Sequence, residues 1–278
     1  MARIGLLGET LGRLTIFAKG NLDLRDCLHA FRVGERVVWN GINDVIRSLH
    51  PGIVTRVQHE LWTRSDALLQ PATAAPADLV QRSLPLAPYT PASQFSQALF
   101  QSDADAIVLS VQPDLMTALV QHRRDGYLFY PNNLDSWPAN DRQWLRLNFE
   151  AAGLLDVAAS MTNFESIIVR LRARSRAPIL IFNCSSVVPG DAIHCHSGLE
   201  DILSTRIRRF NLALIELSER TGISIIDVDS IVARGGADRL KYDAVHLTPE
   251  GCRLVAEEVV RVLDELDVFS PSEISRCS

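Results

Sequence analysis

The stretch Tyr242-Asp243-Ala244-Val245-His246-Leu247-Thr248-Pro249-Glu250-Gly251 places an acid and an imidazole directly before a well-marked helix. Thr248 is suited to cap that helix, and Pro249 and Glu250 fit its first turn. Apolar residues at helical spacing then predict a buried face: Cys252, Val255, Ala256, Val259 and Leu263. A loop held in place in this way can position and orient the general base of a hydrolase. We predict His246 as the base and Asp243 as its orienting acid; the alternative is a capping or hydrogen-bonding role.

Length and composition favour one α/β domain, or one α/β domain with an elaborate insertion. The chain has 278 residues, 47% of them hydrophobic, which is ample for a large core. Its formal net charge of −5 shows no excess of basic residues of the kind that binds nucleic acid. The basic run at 170–176 is interpreted as a solvated helix end, where cations are favoured.

The cysteines and the apolar runs indicate the cell compartment in which the protein acts. Five cysteines at irregular spacing suggest reduced thiols and no disulfide framework. Glu9 interrupts the apolar start of the chain, so we expect no signal peptide. No apolar run approaches membrane-spanning length. We therefore expect a cytoplasmic protein without a membrane partner.

Five short apolar runs, separated mostly by helical patterns, predict a parallel sheet with crossover helices. The predicted strands are Leu14–Lys19, Ile53–His59, Ala106–Val111, Pro178–Phe182 and Ile223–Val228. The pattern predicts one helix over Thr162–Arg174 and another that begins at Ser197 with a capping box and ends at Gly222. The fold class is therefore α/β.

Two regions break this alternation. Residues 70–92 are rich in Pro and Ala and are interpreted as a long surface loop. Residues 122–160 contain several aromatic residues and exceed what a crossover needs. We consider a lid or substrate-binding insertion and an aromatic-anchored structural elaboration about equally compatible with this segment.

Polar residues follow the predicted strands at the sheet edge where parallel sheets bind ligands. Substrate-positioning candidates are Gly20 and Asn21 after the first strand, Arg64 after the second, Gln112 after the third and Asn183 after the fourth. Asn21 and Asn183 are also compatible with ordinary turn roles.

The order of elements, the strand ending in Ile226-Asp227-Val228 and the stretch 242–251 resemble the SGNH (GDSL-type) esterase superfamily over about residues 160–265, and more weakly over 14–115. The resemblance implies a flavodoxin-like three-layer sandwich with a five-stranded parallel sheet, and ester hydrolysis as the activity. Gly20-Asn21-Leu22 occupies the place of the family's Gly-Asp-Ser motif. With Arg25 five residues after Gly20, this resembles the Gly-Asp-Ser-x-x-Arg pattern of its polysaccharide O-acetylesterase-like branch.

Three motif blocks depart from the family. Leu22 stands where the family has its nucleophilic serine. Trp62-Thr63-Arg64-Ser65 lacks the glycine of the family's second block, and Val111-Gln112-Pro113-Asp114 lacks the asparagine of its third. Only the Asp243–His246 block is intact. We therefore predict the fold from the resemblance and an atypical site without the motif serine.

Asp23 is the candidate that replaces the serine. It lies one residue past the serine position, in the first turn of a helix where a carboxylate is stabilised. It is suited to act as nucleophile or as acid/base partner of His246; the alternative is a capping carboxylate. Cys27 falls in line with apolar neighbours and is interpreted as a buried hydrophobe.

No cofactor or metal is expected. The segment 191–196 contains two histidines, an acid and a cysteine, but it lacks the spacing of the usual zinc sites. The glycine-rich stretch 5–12 lacks the Lys-Ser/Thr ending of a phosphate loop.

Two functional hypotheses follow. In the first, the protein hydrolyses an ester or acyl group of a small molecule or glycan through His246, Asp243 and Asp23. In the second, it is a non-hydrolytic SGNH-fold protein, either a ligand-binding pseudoenzyme or a lyase or transferase in small-molecule biosynthesis. The sequence leaves the oligomeric state open.

Overall fold

The computed structural model describes residues 12–33, 35–70, 74–86, 88–187 and 202–270. Its strands, in chain order, are β1 Gly12–Lys19, β2 Phe31–Val33, β3 Arg36–Trp39, β4 Ile53–Glu60, β5 Ala106–Ser110, β6 Leu119–His122, β7 Leu128–Phe129, β8 Phe149–Gly153, β9 Ile179–Phe182 and β10 Ser224–Ile226. The α-helices are α1 Leu22–Leu24, α2 Ile42–Leu49, α3 Ser65–Leu68, α4 Ala77–Val80, α5 Pro91–Gln94, α6 Gln112–Met116, α7 Ala139–Asn148, α8 Val157–Arg172, α9 Leu203–Thr221, α10 Val228–Gly235, α11 Ala237–Leu240 and α12 Pro249–Glu265.

The central sheet has five strands in the order β10-β9-β5-β1-β4, and every neighbouring pair is parallel. All five strands predicted from apolar runs are present in it. Parallel strands need crossovers, so helices cover both faces and both faces are buried. Strand β5 illustrates this, because all five of its residues are buried.

The core lies in two apolar layers, one on each face of the sheet. One layer joins alternate residues of β1 to α2, α12 and the π-helix Arg25–His29. The other joins the remaining face to α8 and α9. This is the predicted three-layer α/β sandwich, and the carboxyl ends of its strands meet at one edge.

The long helices follow their sequence signals. Helix α8 begins five residues earlier than predicted, because the Asp156 carboxylate accepts a hydrogen bond from the Ala159 N–H at 3.0 Å and caps it there. Helix α9 ends at Gly222, whose φ of 66° is the left-handed conformation that glycine adopts without strain. The predicted helix start at Ser197 lies outside the described residues.

Residues 119–153 form a separate small sheet in the order β7-β6-β8, together with α7. Its aromatic side chains pack with the 79–95 segment in a third apolar cluster: Leu79, Leu86, Phe95, Tyr127, Phe129, Trp137, Leu145 and Phe149. The segment 70–92, predicted as a loop, contains the short helix α4 and supplies part of this cluster. The aromatic residues of 122–160 therefore build a core of their own.

Within the described ranges, no helix combines the length and the apolar character needed to cross a bilayer.

Candidate active site

The first strand ends in a tight turn that requires glycine. A Cβ on Gly20 would lie 2.5 Å from Leu24 Cδ1 and 3.2 Å from Ser110 Cβ, so a larger residue would displace both. The turn places Asn21 before α1 and brings Asp23 against the end of β5. The amide oxygen of Asn21 is shielded from solvent and has no hydrogen-bond partner in the described part of the chain.

Asp23 is held by Ser110, the last residue of β5. The Ser110 Oγ accepts a hydrogen bond from the Gln112 N–H at 3.0 Å, so its own proton is directed to Asp23 Oδ2. The other carboxylate oxygen, Oδ1, is shielded from solvent and lacks a partner among the described residues. Burial raises the pKa of Asp23 to about 6, while the hydrogen bond from Ser110 opposes the rise.

A cavity at the carboxyl ends of β1, β5 and β9 contains this carboxylate. Its polar lining includes Asp23, Gln112, Asn183 and Lys241. The remaining wall is mostly apolar and comes from α6, α9 and the loop at 244–247. An apolar hollow with a few convergent polar groups is the usual form of a small-molecule site.

Asn183 is fixed by the end of β10. Its Nδ2 donates to Asp227 Oδ1 at 2.8 Å, and its Oδ1 accepts from the Asp229 N–H at 3.2 Å. Both ends of the amide are therefore engaged, and Asn183 shapes the cavity wall by joining two strand ends.

Lys241 is buried beside the same cavity, with a relative exposure of 4%. Its Nζ donates to the carbonyl oxygens of Val187 at 2.8 Å, Ala244 at 2.9 Å and Ser185 at 3.4 Å. Burial lowers the pKa of Lys241 to about 8. This ammonium group ties the loop of 241–247 to the segment after β9.

Asp243 and His246 form a hydrogen-bonded pair on that loop. Asp243 Oδ2 lies 2.8 Å from His246 Nδ1, and Oδ1 accepts the N–H groups of Val245 and His246, both at 2.8 Å. Partial burial acts to raise the pKa of Asp243, but these N–H groups and the imidazole outweigh it, and the pKa lies below its ordinary value. An ionised Asp243 directs Nδ1–H toward itself and leaves Nε2 as the proton acceptor. In the described part of the chain Nε2 has no partner.

The pair lies at the border of the cavity. Ala244, Val245 and Leu247 line the hollow, whereas His246 is not among the described lining residues and its side chain is 49% exposed. The structure thus brings Asp23, Gln112 and Asn183 into one cavity and places the imidazole on the loop that borders it. No described lining residue comes from 122–160, and the role of that segment as a lid, a substrate-binding insertion or a structural elaboration stays a prediction.

Helix α12 fixes this loop as its sequence predicts. Thr248 Oγ1 accepts the Gly251 N–H at 3.2 Å and donates to the Arg239 carbonyl at 3.0 Å. A Cβ on Gly251 would lie 2.5 Å from the Leu240 carbonyl oxygen, so only glycine permits the helix to pack this closely. The cap and this close approach hold the residues before the helix in place.

Arg64, expected to bind substrate, has a structural position instead. It is 2% exposed and lies outside the cavity. Its guanidinium pairs with Asp66 at 2.6 Å and donates to the carbonyl oxygens of Gly153 at 2.5 Å and Thr117 at 3.4 Å. Since these groups occupy the guanidinium in the interior, we propose no substrate role for Arg64.

Sequence reasoning did not identify Ser110 or Lys241. Ser110 carried a usable signal, because it is the last residue of an otherwise apolar strand that ends at the ligand-binding edge. Lys241 carried none, since a lysine before a loop is ordinarily solvated. Cys27 is buried as predicted, and its side chain also lines the cavity.

Among the described residues, no group of three or more His, Cys, Asp or Glu side chains is arranged to hold a metal ion. The histidine-containing segment 191–196 lies outside the described ranges.

Comparison with solved structures shows that the chain has the fold of SGNH hydrolases. A protein assigned as an SGNH hydrolase from Slackia heliotrinireducens is 17% identical with a TM-score of 0.51, and the match covers 90% of this chain and 99% of that one. LAE5, an alpha/beta hydrolase enzyme from the metagenome of Lake Arreo, Spain, and Axe2, an acetylxylan esterase from Geobacillus stearothermophilus, are each 11% identical with TM-scores of 0.49, over 91% of this chain and 95% of theirs. No family model matches the sequence, and no curated protein is significantly similar to it. At these identities the likeness establishes the fold alone.

Proposed function

We propose that the protein hydrolyses an ester or acyl group of a small molecule or glycan, with water as the nucleophile. His246 Nε2 takes a proton from water as the water oxygen attacks the acyl carbon. The C–O bond to the alcohol then breaks, and the proton passes to the leaving alkoxide. Asp243 orients the imidazole and stabilises its charged form.

Asp23 is the carboxyl group that contacts the substrate in this proposal. Asp23 lines the cavity, and its Oδ1 is shielded from solvent without a partner in the described chain. With a pKa of about 6, Asp23 exchanges a proton near neutral pH, which suits an acid/base partner of His246. Asn21 and Gln112 are proposed to position the acyl group, because they border the same turn and cavity.

The observation that carries the proposal is the Asp243–His246 pair, with Nε2 available, at the border of a cavity that holds this carboxyl. The test is turnover of short acyl and acetyl esters by the purified protein. We expect His246→Gln to lower kcat by about 10²-fold or more, since general-base catalysis contributes factors of this order. Asp23→Asn is expected to lower kcat by about tenfold or more for the same reason.

His50→Gln is the matched control for the imidazole. His50 precedes β4, so it lies at the edge formed by the amino ends of the strands, opposite the edge that holds the cavity. Its ring stacks on Phe269 with ring centroids 4.2 Å apart. It is expected to retain full turnover. Equal turnover in wild type and His246→Gln would contradict the proposal. Labelling of a serine by a fluorophosphonate would also contradict it, because Leu22 occupies the nucleophile position.

A ligand-binding protein, or a lyase or transferase, is the second candidate. It is favoured by Leu22 at the serine position and by the position of His246 outside the cavity lining. The absence of turnover with every ester, together with a thermal shift caused by an unrelated metabolite, would support this candidate.

We also propose that the protein acts in the cytoplasm on a small-molecule or acylated substrate. The proposal is supported by Cys27, Cys184 and Cys252, which form no disulfide in the structure.

A further inference from the structure

A groove of about 470 Å³ lies next to the turn after β1, outside the cavity described above. Its lining residues are Arg25, His29, Ala30, Arg32 and His59. Four of these five carry a guanidinium or an imidazole, and none is acidic. In a chain with a formal net charge of −5, this is a local concentration of hydrogen-bond donors and positive charge.

The donors of the groove are only partly occupied. Within the described ranges, Arg32 and His29 have no ion pair or side-chain hydrogen bond. Arg25 uses Nε and Nη2 on a single oxygen of Asp26, at 2.9 and 2.7 Å, which leaves Nη1 available. The Arg25 side chain is half exposed, so its guanidinium is accessible to a ligand.

His59 connects the groove to the β1 turn. Its Nε2 lies 3.3 Å from the Gly20 carbonyl oxygen, and burial lowers the pKa of His59 to about 4. The ring is therefore neutral at pH 7, and Nε2 donates its proton to Gly20. His59 contributes a rigid wall, and the arginines contribute the charge.

We propose that this groove binds an oxyanion group, such as phosphate or sulfate. Guanidinium groups present paired N–H donors that match the oxygens of these anions, and imidazole N–H groups complete such sites. The segment 23–29 serves both sites, because Asp23 and Cys27 line the cavity whereas Arg25 and His29 line the groove. A ligand with its oxyanion in the groove therefore lies beside the cavity. The proposal does not depend on the hydrolytic reaction.

The test is calorimetric titration of the full chain with inorganic phosphate and sulfate at low ionic strength. We expect saturable binding, and Arg32→Gln is expected to weaken it about five- to tenfold, because the variant loses the charge-assisted hydrogen bonds of one guanidinium. His29→Gln is expected to weaken it about two- to fivefold, as the loss of one hydrogen bond does.

Arg36→Gln is the matched control. It removes one positive charge from the same hairpin, at an exposed residue outside the groove. Its affinity is expected to stay within about twofold of wild type, because Arg36 does not line the groove and its loss removes a charge interaction through solvent but no hydrogen bond to the anion. Absence of saturable binding, or an equal loss in Arg32→Gln and Arg36→Gln, would overturn the proposal.

A second arm distinguishes a free anion from an anionic part of a larger ligand. A sugar phosphate is compared with inorganic phosphate and with the unphosphorylated sugar. Tighter binding of the sugar phosphate than of phosphate supports an oxyanion within a larger ligand, and equal affinity supports a free anion. These titrations are repeated in His246→Gln, so that a failure of the hydrolytic proposal does not affect their outcome.

Discussion

Asp23 combines two properties that oppose each other at the scale of a single residue. Its carboxylate accepts a hydrogen bond from Ser110, and its Oδ1 is shielded from solvent without a described partner. An ionised group in this position is costly because water no longer solvates it. The same shielding raises the pKa of Asp23 to about 6, which is useful for proton transfer. We expect Asp23 to lower stability in exchange for reactivity.

Replacing Asp23 by asparagine is therefore expected to stabilise the protein in a pH-dependent way. In the unfolded chain an aspartate has a pKa of about 3.9, below the folded value of about 6. The folded state thus binds more protons between these values, and wild-type stability falls as pH rises from about 4 to 6. The gain from Asp23→Asn should be about 2 kcal/mol larger at pH 8 than at pH 4.5.

Urea unfolding at the two pH values measures this difference. Asp103→Asn, at an exposed position before β5, is the control and should show no comparable pH dependence. A gain from Asp23→Asn that is the same at both pH values would show that the carboxyl is not destabilised by burial.

The sequence predicted residue contacts where they are local. The three-residue spacing of Asp243 and His246 suggested their contact, and their oxygen and nitrogen lie 2.8 Å apart. It did not predict the exposure of His246, which lies on a loop tied through Lys241 to the segment after β9, more than 50 residues away. The contact of Ser110 with Asp23 spans 87 residues and depends on strand pairing that no local pattern encodes. The catalytic roles of these residues remain predictions.

At the scale of elements, α12 shows how a cap fixes a functional loop. Thr248 Oγ1 both accepts from Gly251 and donates to Arg239, so it joins the helix to the end of α11. We expect Thr248→Ala to lower the free energy of unfolding by about 1 kcal/mol, as the loss of a cap does. Because the loop of His246 precedes the cap, kcat for esters should fall as well.

Thr248→Ser is the matched variant, since it keeps the hydroxyl. It should stay within about 0.5 kcal/mol of wild type, because serine and threonine cap comparably. Chemical denaturation measures both variants. If Thr248→Ala and Thr248→Ser are equally stable, the cap does not stabilise α12.

Elements were predictable where apolar periodicity is strong. The inner strands β5 and β9 of the central sheet are buried on both faces and appear in the sequence as apolar runs. The small strands β6, β7 and β8 were missed, because β7 has only two residues and β6 and β8 are four- and five-residue strands of mixed polarity. Such strands exist only through their partners and through the aromatic cluster beneath them.

At the scale of the whole molecule, the buried Arg64 and the half-buried Arg206 join parts that are distant in sequence. Arg64 follows β4 of the central sheet, and its guanidinium donates to the Gly153 carbonyl at the end of the small sheet, 89 residues away. Arg206 on α9 similarly donates to the Leu115 carbonyl after β5 at 2.7 Å. The alternation of strands and helices in the sequence predicted the sheet and its layers. The contacts of Arg64 and Arg206 were not predictable in this way, because they form only in the complete tertiary structure.

Arg64→Met is expected to lower the free energy of unfolding by about 3 kcal/mol, because it leaves Asp66 without its charge partner and two carbonyl groups without a donor. Arg123→Met is the matched control: Arg123 pairs with Glu150 of β8 at 2.9 Å, but both side chains are about half exposed. Such a pair is worth about 1 kcal/mol or less.

Since Arg64 anchors the end of β8, amide hydrogens of β6 and β8 should exchange faster in Arg64→Met, while those of β1 and β5 change less. Uniform acceleration of exchange in both sheets would show that the small sheet has no separate attachment and that Arg64 stabilises only the global fold.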